Sequence, residues 1–284
     1  MKSQKLALVP AKGLGDALIW MALYFNLRIY SDLVLFSNVL CGMESCFDNV
    51  EIRPLNDDAI SSLSSFDQVI ASDHAHVPLP LGASIVHEKD FDKSLCFLDN
   101  LMVFAKKSLN LRIETKELFF NFDTANHRKE KNRVLIHPLS TSLHKNWTKA
   151  RFLRLAERLQ RAAYHPVFCM DVNERAAFGD CAFDIVSFER LGDFATYCHE
   201  SGYFIGNDSG PGHLCSALGI PVLSIFSRLS YARLWRPGWG RSIVVSPFVP
   251  LFGASLKIKY WQYFLTSAKV FKAFQKLEKL DRRV

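Results

Sequence analysis

Short apolar runs recur along this chain, each followed by a turn and then by a stretch of helical periodicity. This alternation constrains the fold more than any other feature. A strand buried on both faces reads as an unbroken apolar run, and a helix after it returns the chain so that the next strand lies parallel. Residues 6–10 read as the first such strand, residues 11–16 as a glycine-containing turn, and residues 17–30 as a helix with Leu18, Met21, Ala22, Phe25 and Ile29 on one face. Strands follow at 33–36, 50–53 and 68–71, and a helix lies within 91–109. Residues 123–132 are polar and charged with no apolar pattern, and read as a linker. The strand logic restarts at 133–137. An amphipathic helix at 149–163 follows, with Thr148 as its N-cap. Strands at 165–170, 203–206 and 221–226 alternate with helices at 190–200 and 210–218.

A chain of 284 residues, 49% of them hydrophobic, has enough apolar material for two compact cores. The predicted organisation is therefore α/β, with one domain over residues 1–123 and a second over 133–255. Residues 256–284 form a closing helical segment. That segment interleaves Lys257, Lys259, Lys269, Lys272, Lys276 and Lys279 with Tyr260, Trp261, Phe264, Phe271 and Phe274. A basic amphipathic helix can lie on an anionic membrane, or pack back on the body, here on the N-terminal domain, with its charged face in water. Periodicity finds the apolar face without saying what covers it.

The seven cysteines are irregularly spaced and contain no C-x-x-C pair, which suits a reducing compartment and argues against a zinc site. The opening apolar run is short for a secretory leader, and no apolar window is long enough to span a bilayer. The expectation is a cytoplasmic protein, with peripheral contact at the inner membrane face left open. A net charge of +7 suits an anionic partner such as a nucleotide or phosphorylated lipid. No nucleic-acid-binding motif accompanies it.

Three loops carry candidate chemistry. In Phe204-Ile-Gly-Asn-Asp-Ser-Gly-Pro-Gly-His213, a strand gives way to Asn207, Asp208 and Ser209 just before a helix. Free N–H groups at a helix start attract anions, and glycines such as Gly210 and Gly212 allow close approach of a phosphate. Pro211 fits the first turn. Capping by Asp or Ser explains the same residue types. In His137-Pro-Leu-Ser-Thr-Ser-Leu-His-Lys-Asn-Trp147, the hydroxyls of Ser140, Thr141 and Ser142 and the cation of Lys145 could hold phosphate oxygens, or could form a solvated loop. It is not a Walker A motif. In Gly13-Leu-Gly-Asp16, the third glycine of a dinucleotide fingerprint is missing. Asp16 at a helix start could act as a general base or as a cap. His74 and His76 lack a third metal ligand nearby in sequence and read as polar groups lining a cleft.

Taken in order, these loops resemble the family 9 glycosyltransferases, the heptosyltransferases of lipopolysaccharide core synthesis. The segment Leu234-Trp-Arg-Pro-Gly-Trp239 resembles the stretch that follows the donor site in that family. The resemblance implies a GT-B architecture, two Rossmann-like domains facing a cleft, and metal-independent inverting transfer. The donor would be a nucleoside-diphosphate sugar such as ADP-heptose, with no cofactor, and the acceptor a hydroxyl of a lipopolysaccharide core or similar glycan. It implies Asp16 as catalytic base, with Lys12, Gly15 and His74 on the acceptor side. It places Ser140, Thr141 and Lys145 at the donor phosphates and Glu174 at the ribose. Asp208 would lie near the donor sugar, with Ser209, Gly210, Gly212 and His213 forming the diphosphate turn. Competing readings are a nucleotide-sugar hydrolase or epimerase, and a non-catalytic binder of anionic glycolipid.

Overall fold

The computed structural model describes residues 4–248, 256 and 259–282. The chain divides into two compact units, Met1–Asn121 and Phe122–Val284.

The first unit contains β1 (Gln4–Val9), α1 (Leu14–Leu27), β2 (Ser31–Phe36), β3 (Ile52–Arg53), α2 (Asp57–Ser62), β4 (Gln68–Ser72), β5 (Ser84–Val86) and α3 (Phe97–Ser108). Its strands are parallel and ordered β3-β2-β1-β4-β5. Helix α1 is buried on all sides from Ala17 to Leu27, which explains why its one-sided periodicity is weak. The buried Asn26 is satisfied by stitching α1 to a neighbouring extended segment. It donates to the carbonyls of Ala22 and Thr115 at 2.7 and 2.8 Å and accepts from the Glu114 amide at 2.8 Å.

The second unit contains β6 (Glu130–His137), α4 (Lys149–Arg161), β7 (His165–Asp171), α5 (Val172–Phe178), β8 (Asp184–Phe188), α6 (Leu191–His199), β9 (Ser201–Asn207), α7 (Gly210–Ala217), β10 (Val222–Ile225), α8 (Leu229–Trp235), β11 (Ser242–Val245) and α9 (Ser267–Asp281). Its sheet is also parallel, ordered β11-β10-β9-β6-β7-β8. Both units are thus doubly wound and Rossmann-like.

Three expectations change. The polar stretch 123–132 is not linker throughout. A 3-10 turn occupies Thr124–Asn126, and β6 already begins at Glu130, whose amide donates to the Glu200 carbonyl at 2.9 Å. Backbone pairing needs no apolar side chain, so a strand edge can start in charged sequence. Thr148 occupies the N-cap of α4, but its side chain accepts no hydrogen bond there. The closing helix starts at Ser267, with Thr266 accepting from the Lys269 amide, whereas Trp261–Tyr263 is a separate 3-10 turn. Residues 257 and 258 lie outside the described residues.

The closing helix docks within the second unit, against α4, β10 and β11. Its buried residues Val270, Phe274 and Leu277 join the core that contains Phe152, Leu155 and Tyr203. Its end is pinned by Asp281, which accepts two bonds from Arg128 at 2.9 and 2.6 Å and one from Arg241 at 2.8 Å. The apolar face of α9 is therefore already covered, and its basic face is left in water.

Candidate functional site

In an open parallel sheet, loops leaving the carboxyl ends of two adjacent strands diverge where the winding reverses, and a crevice opens between them. In the second unit the winding reverses between β6 and β9. The two loops there are 138–148 and 208–209, which carry the second and third sequence motifs.

A network of buried hydrogen bonds ties these loops together. Asn207, the last residue of β9, accepts from the Trp147 amide at 3.0 Å and donates to the Pro138 carbonyl at 2.6 Å. Asn146 Oδ1 takes the Ser140 hydroxyl at 2.8 Å and lies 3.5 Å from Asn207 Nδ2. Ser140 thus spends its proton inside the loop, while Thr141 is exposed.

Across this junction, Lys145 Nζ lies 2.7 Å from Asp208 Oδ2, off the line of a hydrogen bond. The lysine side chain is 34% exposed and the aspartate side chain only 7%. The ammonium also sits over the Tyr231 ring, 5.0 Å from its centroid. Burial opposes the charge on Lys145, but Asp208 and Tyr231 outweigh it and hold its pKa above the ordinary value. Burial raises the pKa of Asp208, and Lys145 offsets that only in part. The two directions differ in meaning: the cation is comfortable in the pair, and the anion is the costly member.

Beside it, Ser209 occupies the N-cap position of α7 without capping it. Its hydroxyl donates instead to the Asn207 carbonyl at 3.2 Å and lies 3.5 Å from His137 Nδ1. The capping explanation of this serine therefore fails. A Cβ on Gly206 would meet the Phe204 ring at 2.8 Å and the His137 carbonyl at 3.0 Å, so this glycine is required by packing. On Gly212 it would meet nothing nearer than 3.5 Å, so the fold itself does not demand glycine there.

His213 is buried one turn into α7, and among the described residues its Nδ1 has no hydrogen-bond partner. Burial, aided by the nearby charge of Lys145, lowers its pKa to about 4, so the ring is neutral near pH 7.

Glu174 lies on α5, a helix that sequence periodicity did not reveal. Its capping box with Asp171 is clear: Asp171 accepts from the Glu174 amide at 2.7 Å and Glu174 accepts from the Asp171 amide at 3.0 Å. The same Oε2 lies 3.2 Å from His137 Nε2. Burial acts to raise the pKa of Glu174, but His137 and the Asp171 amide outweigh it and hold the carboxyl below its usual range. His137 links Glu174 to Ser209 and was quoted in the sequence only as part of a loop. Its signal was its place as the last residue of an apolar strand.

In the first unit the winding reverses between β1 and β4. The loop after β1 leads into Asp16, the third residue of α1, and the loop after β4 carries Asp73 and His74. Gly13 occupies the N-cap position of α1, and a Cβ built on it would lie 2.4 Å from Asp16 Oδ2. The missing side chain of Gly13 makes room for that carboxylate. Lys12 is exposed, and Gly15 is half-buried. His74 Nε2 lies 3.4 Å from Glu88 and 3.7 Å from Asp73. Among the described residues no group of three or more His, Cys, Asp or Glu side chains is placed to hold a metal ion.

Each of the two units is a doubly wound α/β fold with candidate side chains at its switch point. The model of glycosyltransferase family 9 (heptosyltransferase) matches residues 87–246, more than half of the chain, and the chain belongs to that family. It is similar to lipopolysaccharide heptosyltransferase 3 of Escherichia coli strain K12, with 26% identity over 121 residues. That match covers 39% of this chain and 35% of the relative, so it spans about a third of the relative's length. Solved structures share the fold over nearly the whole chain. E. coli ADP-heptose lipopolysaccharide heptosyltransferase II superposes with a TM-score of 0.71 at 15% identity, covering 98% of this chain and 99% of that one. The family 9 glycosyltransferase of Veillonella parvula DSM 2008 gives 0.71 at 15%, covering 96% and 97%. E. coli heptosyltransferase WaaC with ADP gives 0.67 at 14%, covering 96% and 100%. The fold is GT-B.

Proposed function

We propose that the protein transfers a heptose or related sugar from a nucleoside-diphosphate donor, with ADP-heptose the first candidate, to a hydroxyl of a lipopolysaccharide core or similar glycan. The observation that carries this reading is the Lys145–Asp208 pair beside the uncapped start of α7. That arrangement suits a diphosphate. Lys145 offers a charge and the α7 amides offer oriented donors. Lipopolysaccharide heptosyltransferase is the function of the curated relative, and WaaC was solved with ADP and with ADP-2-deoxy-2-fluoro heptose.

In the proposed reaction the acceptor oxygen attacks the anomeric carbon as Asp16 takes its proton. The bond from that carbon to the diphosphate oxygen breaks, and the nucleoside diphosphate leaves with the electron pair. Attack opposite the leaving group inverts the anomeric centre, and no metal is needed. Lys145 and the turn of Ser209, Gly210 and Gly212 stabilise the departing charge, the kind of preorganised contact worth about 3 kcal/mol per donor. Glu174, held ionised beside His137, receives the ribose hydroxyls. Asp208 lies near the donor sugar, Ser140 and Thr141 border the phosphates, and His213 backs the turn as a neutral ring. Lys12, Gly15 and His74 face the acceptor.

The charge distribution supports contact with an anionic membrane, where a glycolipid acceptor would lie. Helix α4 carries five cations against one carboxylate, and α9 carries four against two. The helices pack side by side, and Arg154, Arg158, Arg161, Lys272, Lys276 and Lys279 are exposed. Tyr263 and Phe264, 59% and 37% exposed, stand at the head of α9. Among the described residues no helix is long and apolar enough to cross a membrane.

Calorimetry with ADP, followed by transfer assays with ADP-heptose, tests the reading. Micromolar binding of ADP that weakens at least tenfold in Lys145→Met is expected. Unchanged affinity in that variant refutes the donor site.

A further inference from the structure

The site is held from behind by a part of the chain that none of the sequence motifs includes. Between β11 and α9, a return segment with a 3-10 turn at Trp261–Tyr263 lies beside the β6–α4 loop. The return segment and the β6–α4 loop grip each other reciprocally. The Trp261 indole donates to the His144 carbonyl at 2.8 Å. The Trp147 indole donates to the Leu265 carbonyl at 3.0 Å. A third bond, from Arg151 to the Tyr263 carbonyl at 2.9 Å, closes the outer edge. Trp147 and Trp261 are 2% and 1% exposed.

Lys145 lies between the two anchored points of the loop, next to His144 and two residues before Trp147. Its own turn is short: the Lys145 amide donates to Ser142 at 2.9 Å and the Asn146 amide to Leu143 at 3.1 Å. Such a 3-10 turn has poor internal hydrogen-bond geometry and needs outside support to keep one shape. On one side Asn207 supplies it, through the Trp147 amide. On the other, the Trp261 indole holds the carbonyl immediately before Lys145.

We infer that Trp261 is a positioning residue for the donor site, acting through the His144 carbonyl to fix where Lys145 presents its ammonium. This inference rests on the reading of Lys145 as a diphosphate contact. A displacement of about 1 Å at such a contact is costly even when the moved group is intact. The indole N–H carries the effect, beyond the bulk of the ring.

The test uses the full chain, with ADP as probe, in a double-mutant cycle of Trp261→Phe and Lys145→Met. Phenylalanine keeps an aromatic ring in the pocket and removes the N–H. Losing one buried hydrogen bond predicts an ADP affinity about fivefold to tenfold weaker in W261F. In the K145M background the same change should have almost no effect, because the group it positions is gone. A merely structural tryptophan would give the same loss in both backgrounds, and that result overturns the proposal, as does unchanged affinity in W261F. If K145M alone leaves ADP binding intact, the donor-site reading fails first and this inference with it. Should W261F fold poorly, Arg151→Met loosens the same segment from its exposed edge. It should weaken ADP binding about twofold in the wild-type background only, and an equal loss with and without Lys145 again counts against positioning.

Discussion

Replacing Lys145 by methionine keeps most of the stem and deletes the charge that Asp208 faces at 2.7 Å. Breaking a buried pair by removing one partner costs about 3–5 kcal/mol, because the other charge is stranded. Here the lysine side chain is 34% exposed, so water already screens part of the attraction. That discount brings the expected loss near neutral pH to about 2 kcal/mol. The loss should depend on pH, and its sign follows from the direction of the Asp208 shift. Burial raises the pKa of this carboxyl in the fold. Its contribution to stability is therefore present when it is protonated, and is lost as pH rises through the folded pKa. Lys145 is the group that limits that loss, so K145M should cost little at about pH 5 and most at about pH 8. The raised pKa of Lys145 itself withdraws stability only at still higher pH, above the ordinary lysine range. His213, whose pKa burial brings to about 4, lowers the stability of both proteins as pH falls below the ordinary histidine range, so variant and wild type are compared at the same pH. Thermal unfolding followed by calorimetry would show a drop of about 4–8 °C at the higher pH. Adding Asp208→Asn to K145M should restore most of it, since the stranded charge is gone. An equal drop at both pH values, or no recovery in the double variant, would refute the account of the pair.

Asp16→Asn is expected to abolish sugar transfer, measured by product formation, while ADP affinity stays within about twofold. A large fall in ADP affinity would instead make Asp16 part of the donor site or of the fold. Gly212→Ala should leave the unfolding midpoint almost unchanged, since a Cβ there finds ordinary contacts, yet should weaken ADP binding if phosphate approaches that backbone. Gly202→Ala should have the opposite pattern. Its Cβ would lie 2.0 Å from the Lys131 carbonyl oxygen, so little folded protein should be recovered. Reversing Lys272, Lys276 and Lys279 to glutamate should abolish co-sedimentation with phosphatidylglycerol vesicles at low salt and leave ADP affinity unaltered. Retained binding would discard the α4–α9 face as the membrane contact.

The sequence revealed most of the long elements because β1, β6, β9 and α4 each bury a continuous run or a single stripe. It concealed β5, β8 and β11, each five residues or fewer, and the short helices α2 and α8. It also concealed α5, whose signal was the Asp171–Glu174 capping box, not its periodicity. The start of β6 was hidden because backbone pairing with Glu200 and Ser201 fixes it, and no side-chain pattern reports that. In the second unit, the glycine and hydroxyl motifs fall on the two loops that leave adjacent strands at the switch point. What they could not show is long-range: the salt link from Lys145 to Asp208, the bridge from Glu174 through His137 towards Ser209, and the two indoles joining residues more than a hundred positions apart. Local spacing holds no information about which distant carbonyl an indole will find. The tail illustrates the same point. Its basic and aromatic stripe was legible, but the surface that covers it was settled by tertiary packing.

The reciprocal grip of Trp147 and Trp261 also sets an order of events during synthesis. Domains tend to fold as they emerge, amino-terminal first, and the first unit has all its described strands by residue 86. The second unit can pair its strands once β11 is out, yet the loop bearing Lys145 still lacks one of its two clamps. Until residue 265 has left the ribosome, a nascent chain would hold paired strands whose Lys145 loop lacks its second clamp and whose core still awaits Val270, Phe274 and Leu277.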